Sequence, residues 1–439
     1  MQDSLENTLS ILFGKKIAVD LTPMLPGGDN GGGKLMTLEL LHTLTSLLPK
    51  TSFVLLTAES SHAELDQLEN EHPNIQRMCV WHSRIHTDPS IIVRPPELVW
   101  SKDIFIDQLK NLARQVISPA LKDRIKRWRW VAKFTARPTK FLREMKVDLL
   151  FCPFTAPFYA DGLIPTVSVV YDLQYRAYPQ FFTPEELIER EDNFQMASQK
   201  SDYLVTISEF VREKIIEAAS LSPERVITIP IGLLHTQKRP DDDSGNRLLE
   251  KYGLHHGEYI LYPANFWQHK NHTMLLTAFS MYRKAQPDSK LKLLCTGAPG
   301  PRAEAFCEKA SRMGLADWVI YPGYVTSYEY DCLLRSAFAL IFPSLYEGFG
   351  IPVLEAMSAG VPVLSSDVAS LPEVGGDAAL YFDPHQPTQI MYALIRLSRE
   401  PGLRDSLITR GLQRSIQYEG GDRMARQYAN VFAKTLKLR

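Results

Sequence analysis

The sequence predicts an α/β protein made of two parallel-sheet domains. Three observations predict it. Short apolar runs alternate with stretches of helical periodicity along most of the chain, the pattern of parallel strands covered on both faces by helices. That alternation breaks once, at residues 236–247, where a Pro-, Ser- and Asp-rich segment reads as a linker. The 439 residues, 45% hydrophobic and 23% charged, suffice for two soluble cores.

The first domain is expected over residues 1–235. Residues 15–21 (KKIAVDL) read as its first strand and run into a glycine-rich loop, then into a helix over 35–48 with Leu38, Leu41, Leu44 and Leu48 at helical spacing. Residues 53–57, 75–81, 147–151, 166–171, 203–207 and 226–229 follow as strands. The second domain, 248–405, opens with a strand at 259–262 and continues with strands at 291–296, 318–321, 339–342 and 361–364. Residues 365–376 read as a loop rich in small and acidic residues. Residues 406–439 are expected to be helical.

Composition narrows the class. No run approaches ~20 apolar residues, so no transmembrane helix is expected. The first twenty residues lack a basic and then apolar leader, so a cytoplasmic enzyme is expected. The five cysteines, Cys79, Cys152, Cys295, Cys307 and Cys332, are scattered and form no C-x-x-C pair, which suggests reduced thiols and no zinc site. A net charge of −1 conceals a basic insert at 94–146, with fourteen Lys or Arg against five Asp or Glu. Its centre, residues 122–134 (KDRIKRWRWVAKF), interleaves Lys122 and its basic neighbours with Trp128, Trp130 and Phe134. That mixture suits peripheral contact with an anionic membrane, with nucleic acid as a less favoured reading and an ordinary surface helix as the plain one.

The chemistry concentrates at 342–384. A strand ending at Phe342 leads into the turn Glu347-Gly348-Phe349-Gly350, and Pro352 begins a helix that Gly360 closes. A helix N-terminus offers unpaired N–H groups and partial positive charge to an anion such as a diphosphate. Glu347 in the loop and Glu355 in the helix can accept hydrogen bonds from the vicinal hydroxyls of sugars. On the plain reading they are acids favoured by the helix dipole. In the loop after the 259–262 strand, Lys270 stands where an ammonium can reach phosphate oxygens, although alone it reads as a surface lysine. The first glycine loop satisfies G-x-x-x-x-G-K from Gly28 to Lys34, but Leu35 follows where a P-loop needs a Ser or Thr ligand for magnesium. Asp241, Asp242 and Asp243 read as a solvated triplet, and no metal is assigned.

These residues carry a resemblance. Glu347 to Gly350, then Glu355, Ala356, Met357 and Gly360 to Val363, continued by SLPEVGGDAALYFDP, resemble the E-x7-E signature of retaining GT-B glycosyltransferases, the large family that includes bacterial mannosyltransferases. The resemblance implies two Rossmann-like domains facing each other across a central cleft, with the last helix (422–438) crossing back onto the first domain. It implies transfer of a hexose, mannose favoured, from a GDP- or UDP-sugar to a hydroxyl of a glycan or lipid-linked acceptor, with no cofactor. It implies that Glu347 contacts the donor sugar, Glu355 the ribose, Lys270 the diphosphate, and Gly32 and Gly33 the donor from across the cleft. Gly348, Phe349 and Gly350 complete the donor loop. Asp172, in Val-Val-Tyr-Asp-Leu, lies in the family's acceptor-side segment, with Tyr171 where His is common. Ala264 replaces an Arg common six residues before the Lys, and Asn265 or His269 is the candidate substitute. A noncatalytic sugar-nucleotide binder or another GT-B enzyme, such as an epimerase, is the alternative.

Overall fold

The computed structural model describes residues 2–26, 31–81, 140–233 and 242–438. The basic insert's centre at 122–134 and the front of the first glycine loop, Gly28 included, lie outside them. Among the described residues the strands form two sheets, both wholly parallel. The first has the order β3-β2-β1-β4-β5-β6-β7, from β1 (Lys16–Asp20), β2 (Ser52–Ala58), β3 (Ile75–Trp81), β4 (Leu149–Cys152), β5 (Thr166–Val170), β6 (Tyr203–Thr206) and β7 (Val226–Thr228). The second has the order β10-β9-β8-β11-β12-β13, from β8 (Tyr259–Pro263), β9 (Lys292–Thr296), β10 (Val319–Ile320), β11 (Ala339–Phe342), β12 (Val363–Ser366) and β13 (Ala379–Phe382). Strands such as β4 and β11 are buried at every position, which explains their unbroken apolar runs.

The strand order fixes where a ligand can sit. In each sheet the chain winds outward one way from the first strand and then the other, so the crevice opens at the carboxyl ends of β1 and β4 and of β8 and β11. The loops carrying Lys270 and Glu347 leave β8 and β11, and the segment after β1 leads into the Gly31–Leu47 helix, which starts four residues earlier than expected and so takes Gly32 and Gly33 into its first turn. Asp172 follows β5.

Three segments differ from the sequence-based expectation. A helix, Asp242–Lys251, starts inside the segment read as linker; it is anchored by the buried Leu248 and Leu249 and packs against the Ser327–Arg335 helix. The segment read as a loop after β12 contains the short helix Leu371–Gly375, and β13 follows it. An N-terminal helix, Gln2–Leu12, precedes β1.

The last helix, Gly421–Leu436, leaves the second domain and packs on the first, against the Gln2–Leu12 and Gly31–Leu47 helices. Tyr428 and Phe432 meet Phe151 of β4 with ring centroids 5.6 and 5.1 Å apart. Thr8 donates to Asn430 at 2.7 Å, and Arg423 donates to the Pro230 carbonyl at 3.1 Å. No helix among the described residues is long and apolar enough to cross a membrane.

Candidate functional site

The loop after β8 is held by its own backbone before any charge is considered. Asn271 adopts a left-handed conformation (φ 60°), which asparagine tolerates, and its amide donates to the carbonyls of Pro343 (3.1 Å) and Pro384 (2.8 Å). The loops after β8, β11 and β13 are thereby joined. Tyr262 donates to the Lys270 carbonyl at 2.6 Å, and the Leu345 N–H donates to the His269 carbonyl at 2.7 Å. Lys270 Nζ consequently lies 2.5 Å from Glu347 Oε1, in a charge-assisted pair whose side chains are only 13% and 12% exposed. Ser370 Oγ fixes the other partner, donating to the carbonyls of Glu347 and Phe349, each at 2.9 Å.

Neither residue considered for the missing arginine supplies a cation. Burial, reinforced by the Lys270 charge, pushes His269 down to about 4, so its imidazole is neutral at physiological pH. Asn265 spends its carbonyl oxygen on the Ala298 N–H at 2.8 Å. The loop after β9 approaches so closely that a Cβ on Gly297 would stand 2.7 Å from the Ala264 carbonyl oxygen. Beside this loop a cavity of about 460 Å³ is lined by Trp267, Gln268, His272, Arg302 and Lys309 among others.

The Ile351–Ser358 helix begins directly after the Glu347 turn, with Gly350 at φ 112° as its N-cap and Pro352 in its first turn. Glu355 accepts a hydrogen bond from the Tyr330 hydroxyl at 2.7 Å. Burial raises its pKa, with the Tyr330 bond acting in the opposite direction.

The first domain meets this helix across the cleft. A Cβ on Gly32 would lie 3.1 Å from the Ile351 side chain, and one on Gly33 would lie 3.3 Å from the Tyr171 ring. At Gly348 a Cβ would sit 2.2 Å from the Tyr171 carbonyl oxygen, so only glycine fits there. Ser208, which caps the Glu209–Ala219 helix by accepting from the Val211 N–H at 3.2 Å, also donates to the Gly348 carbonyl at 2.7 Å. The Glu373 carboxylate accepts from the N–H groups of Glu209 (2.8 Å) and Phe210 (2.9 Å), and Tyr178 donates to the Leu345 carbonyl at 3.3 Å. The cleft is therefore closed along one side.

The fold thus gathers Gly32, Gly33, Lys270, Glu347, Gly348 and Gly350 around one crevice. Asp172 borders it, accepting from the Gln174 N–H at 2.9 Å in a turn of its own, and burial raises its pKa. Tyr171, in the position the family gives to His, contacts the Gly33 carbonyl and Thr37, both at 3.4 Å. Lys34 turns away from the crevice: it pairs with Glu64 and donates to the Leu25 carbonyl at 3.1 Å, which is no place for a P-loop lysine. Sequence reasoning missed Asn271, Tyr330, Ser370 and Glu373. Each acts over a separation that no local spacing reports, although Ser370 and Glu373 do stand inside the recognised SLPE stretch.

Residues 247–414 match the family model described as Glycosyl transferases group 1. O-antigen chain mannosyltransferase B of Escherichia coli is 28% identical over 252 residues, 57% of this chain and 66% of that protein. The serotype-specific mannosyltransferase WbdA of Escherichia coli is 28% identical over 224 residues, 50% of this chain and 27% of that protein. The chain thus spans less than two thirds of the length of these relatives. Among solved structures, Anabaena Alr3699/HepE in complex with UDP and glucose superposes with a TM-score of 0.68 at 13% identity, covering 96% of this chain and 100% of that one. Over residues 247–414 the chain is similar to group 1 glycosyl transferases; its fold is GT-B, and it resembles bacterial mannosyltransferases.

Proposed function

We propose that this chain is a retaining glycosyltransferase that moves a hexose, mannose in the first instance, from a nucleoside-diphosphate sugar to a hydroxyl of a glycan or lipid-linked acceptor. The observation that carries this reading is the Lys270–Glu347 pair at 2.5 Å, set at the switch point of the second sheet beside the helix whose first residue, Ile351, meets Gly32 of the first domain. The mannosyltransferase relatives favour the sugar, and the UDP and glucose bound by HepE favour a nucleotide-sugar donor.

In this account Lys270 and the first N–H groups of the Ile351–Ser358 helix meet the negative charge that develops on the leaving diphosphate. Glu347 orients Lys270 and accepts from the sugar hydroxyls, while Glu355, steadied by Tyr330, accepts from the ribose. The acceptor hydroxyl enters from the first domain, past Asp172, and attacks the face from which the diphosphate departs. A donor phosphate oxygen takes the acceptor proton, so the C–O bond to the phosphate breaks as the new glycosidic bond forms with retention. The protein supplies position and charge for this step and needs no base of its own. Peripheral membrane contact through the 122–134 segment belongs to the same proposal, because a lipid-linked acceptor lies at a bilayer surface.

A donor panel tests it. Release of nucleoside diphosphate from GDP-mannose and several UDP-sugars is scored with and without a membrane lipid extract. One donor is expected to give extract-dependent release, and Glu347→Ala to lower it by about 10²-fold or more. Donor binding with no turnover on any acceptor would remove the catalytic roles and leave a sugar-nucleotide binder.

A further inference from the structure

Outside the crevice, the first domain brings together three side chains with the chemistry of a cation site. His42 lies in the Gly31–Leu47 helix, Glu71 ends the Asp66–Glu71 helix, and His72 follows it. His72 Nε2 is 2.9 Å from His42 Nδ1, and His42 Nδ1 is 3.7 Å from Glu71 Oε2. All three candidate ligand atoms lie within 4.8 Å of one another. Tetrahedral zinc with ligands at about 2.0–2.1 Å places neighbouring ligand atoms about 3.3 Å apart, between those two distances.

The surroundings hold the three in place. Gln67 donates to Glu71 Oε1 at 2.7 Å, which leaves Oε2 turned to the histidines. Asn74 donates to the carbonyls of Thr45, Leu48 and Thr51, each at 3.1 Å, and so fixes the helix end near His42 against the residues leading into β3. His72 is buried, while the side chains of His42 and Glu71 are about half exposed, so an ion has an entry path and room for a solvent ligand.

We propose that His42, Glu71 and His72 bind one zinc-like divalent cation. Two imidazoles and one carboxylate suit borderline cations rather than magnesium or calcium, which prefer all-oxygen cages. On binding, each imidazole carries its proton on the ring nitrogen that faces away from the ion. The ion ties the helix that begins at Gly31 to the segment entering β3, so its effect is on stability. His42 and His72 are thirty residues apart, so no spacing motif marks them.

The test uses the full chain stripped of metal, with Cys307→Ser to remove the exposed thiol. Zn²⁺ is titrated in competition with a chromophoric chelator, and Co²⁺ is added separately to read visible absorption. One equivalent is expected to bind with a tetrahedral Co²⁺ spectrum and a rise in melting temperature. Loss of a supporting group in Gln67→Ala should weaken binding by roughly 10-fold, and loss of a ligand in His42→Ala or Glu71→Gln should weaken it more. Both ligand substitutions fall on exposed positions, so the variants should fold. Zn²⁺ affinity unchanged in His42→Ala and Glu71→Gln, or no bound equivalent in the parent chain, would overturn the site.

Discussion

The two sheets share one winding order, yet their strand-end loops carry different chemistry. After β8 and β11 the second domain presents an ammonium and a carboxylate 2.5 Å apart, with a helix N-terminus behind them. After β1 and β5 the first domain presents glycine backbone and Tyr171, whose hydroxyl burial pushes well above its ordinary range. Asp172 also follows β5 and borders the crevice, so the same topology builds one half that holds an ion pair and one half that supplies mainly shape. A donor diphosphate needs the first kind of surface, and a neutral hydroxyl acceptor needs the second.

The sharpest way to break this division is to force the halves apart. Gly348→Ala places a methyl group against the Tyr171 carbonyl, a backbone atom that cannot rotate away. Turnover is expected to fall by about 10²-fold, since a displacement of about 1 Å at a catalytic cleft costs that much. Nucleotide binding to the second domain should be far less affected. Kinetics alongside nucleotide titration checks this, and equal losses in both would show that the halves are not separable.

A smaller effect, through pH, marks what the two halves share. His269 and His272 both sit in or beside the β8 loop, and burial lowers them from 6.5 to about 4 and about 3. Between pH 6.5 and 4 the unfolded chain binds protons that the folded chain refuses, so stability should decline as pH falls through that window. Burial also holds His72 of the first domain below its ordinary value, so the decline is not confined to one half. His269→Gln should flatten the slope of denaturation midpoint against pH, and an unchanged slope would refute that origin.

Most of the fold was legible because parallel strands are buried on both faces and therefore spell continuous apolar runs, as in Leu-Leu-Phe-Cys of β4 and Ala-Leu-Ile-Phe of β11. Short elements were not. Ala379–Phe382 is buried only at its two ends, and four residues are too few to rise above the Gly-Gly-Asp just before them. The helix at Asp242–Lys251 was hidden behind polar residues until Leu248 and Leu249 supplied its apolar face.

At the site, the residues on loops after central strands could be found from glycine spacing and the family motif. Their supports could not. Glu373 meets backbone N–H groups 163 and 164 residues away, and Tyr330 reaches Glu355 from another helix. The sequence offered Asn265 or His269 for the contact of the arginine replaced by Ala264; His269 is kept neutral and Asn265 braces the neighbouring loop, so neither adds a positive charge.

The central claim is that Lys270, held by Glu347, anchors the donor diphosphate in the second domain. Calorimetric titration of UDP and GDP into the parent chain, Lys270→Ala and Tyr171→Phe tests it most directly. The account predicts that Lys270→Ala weakens the preferred nucleotide by tenfold or more, about 1.4 kcal/mol, with Tyr171→Phe near the parent value. Equal affinity in the parent chain and Lys270→Ala would contradict it.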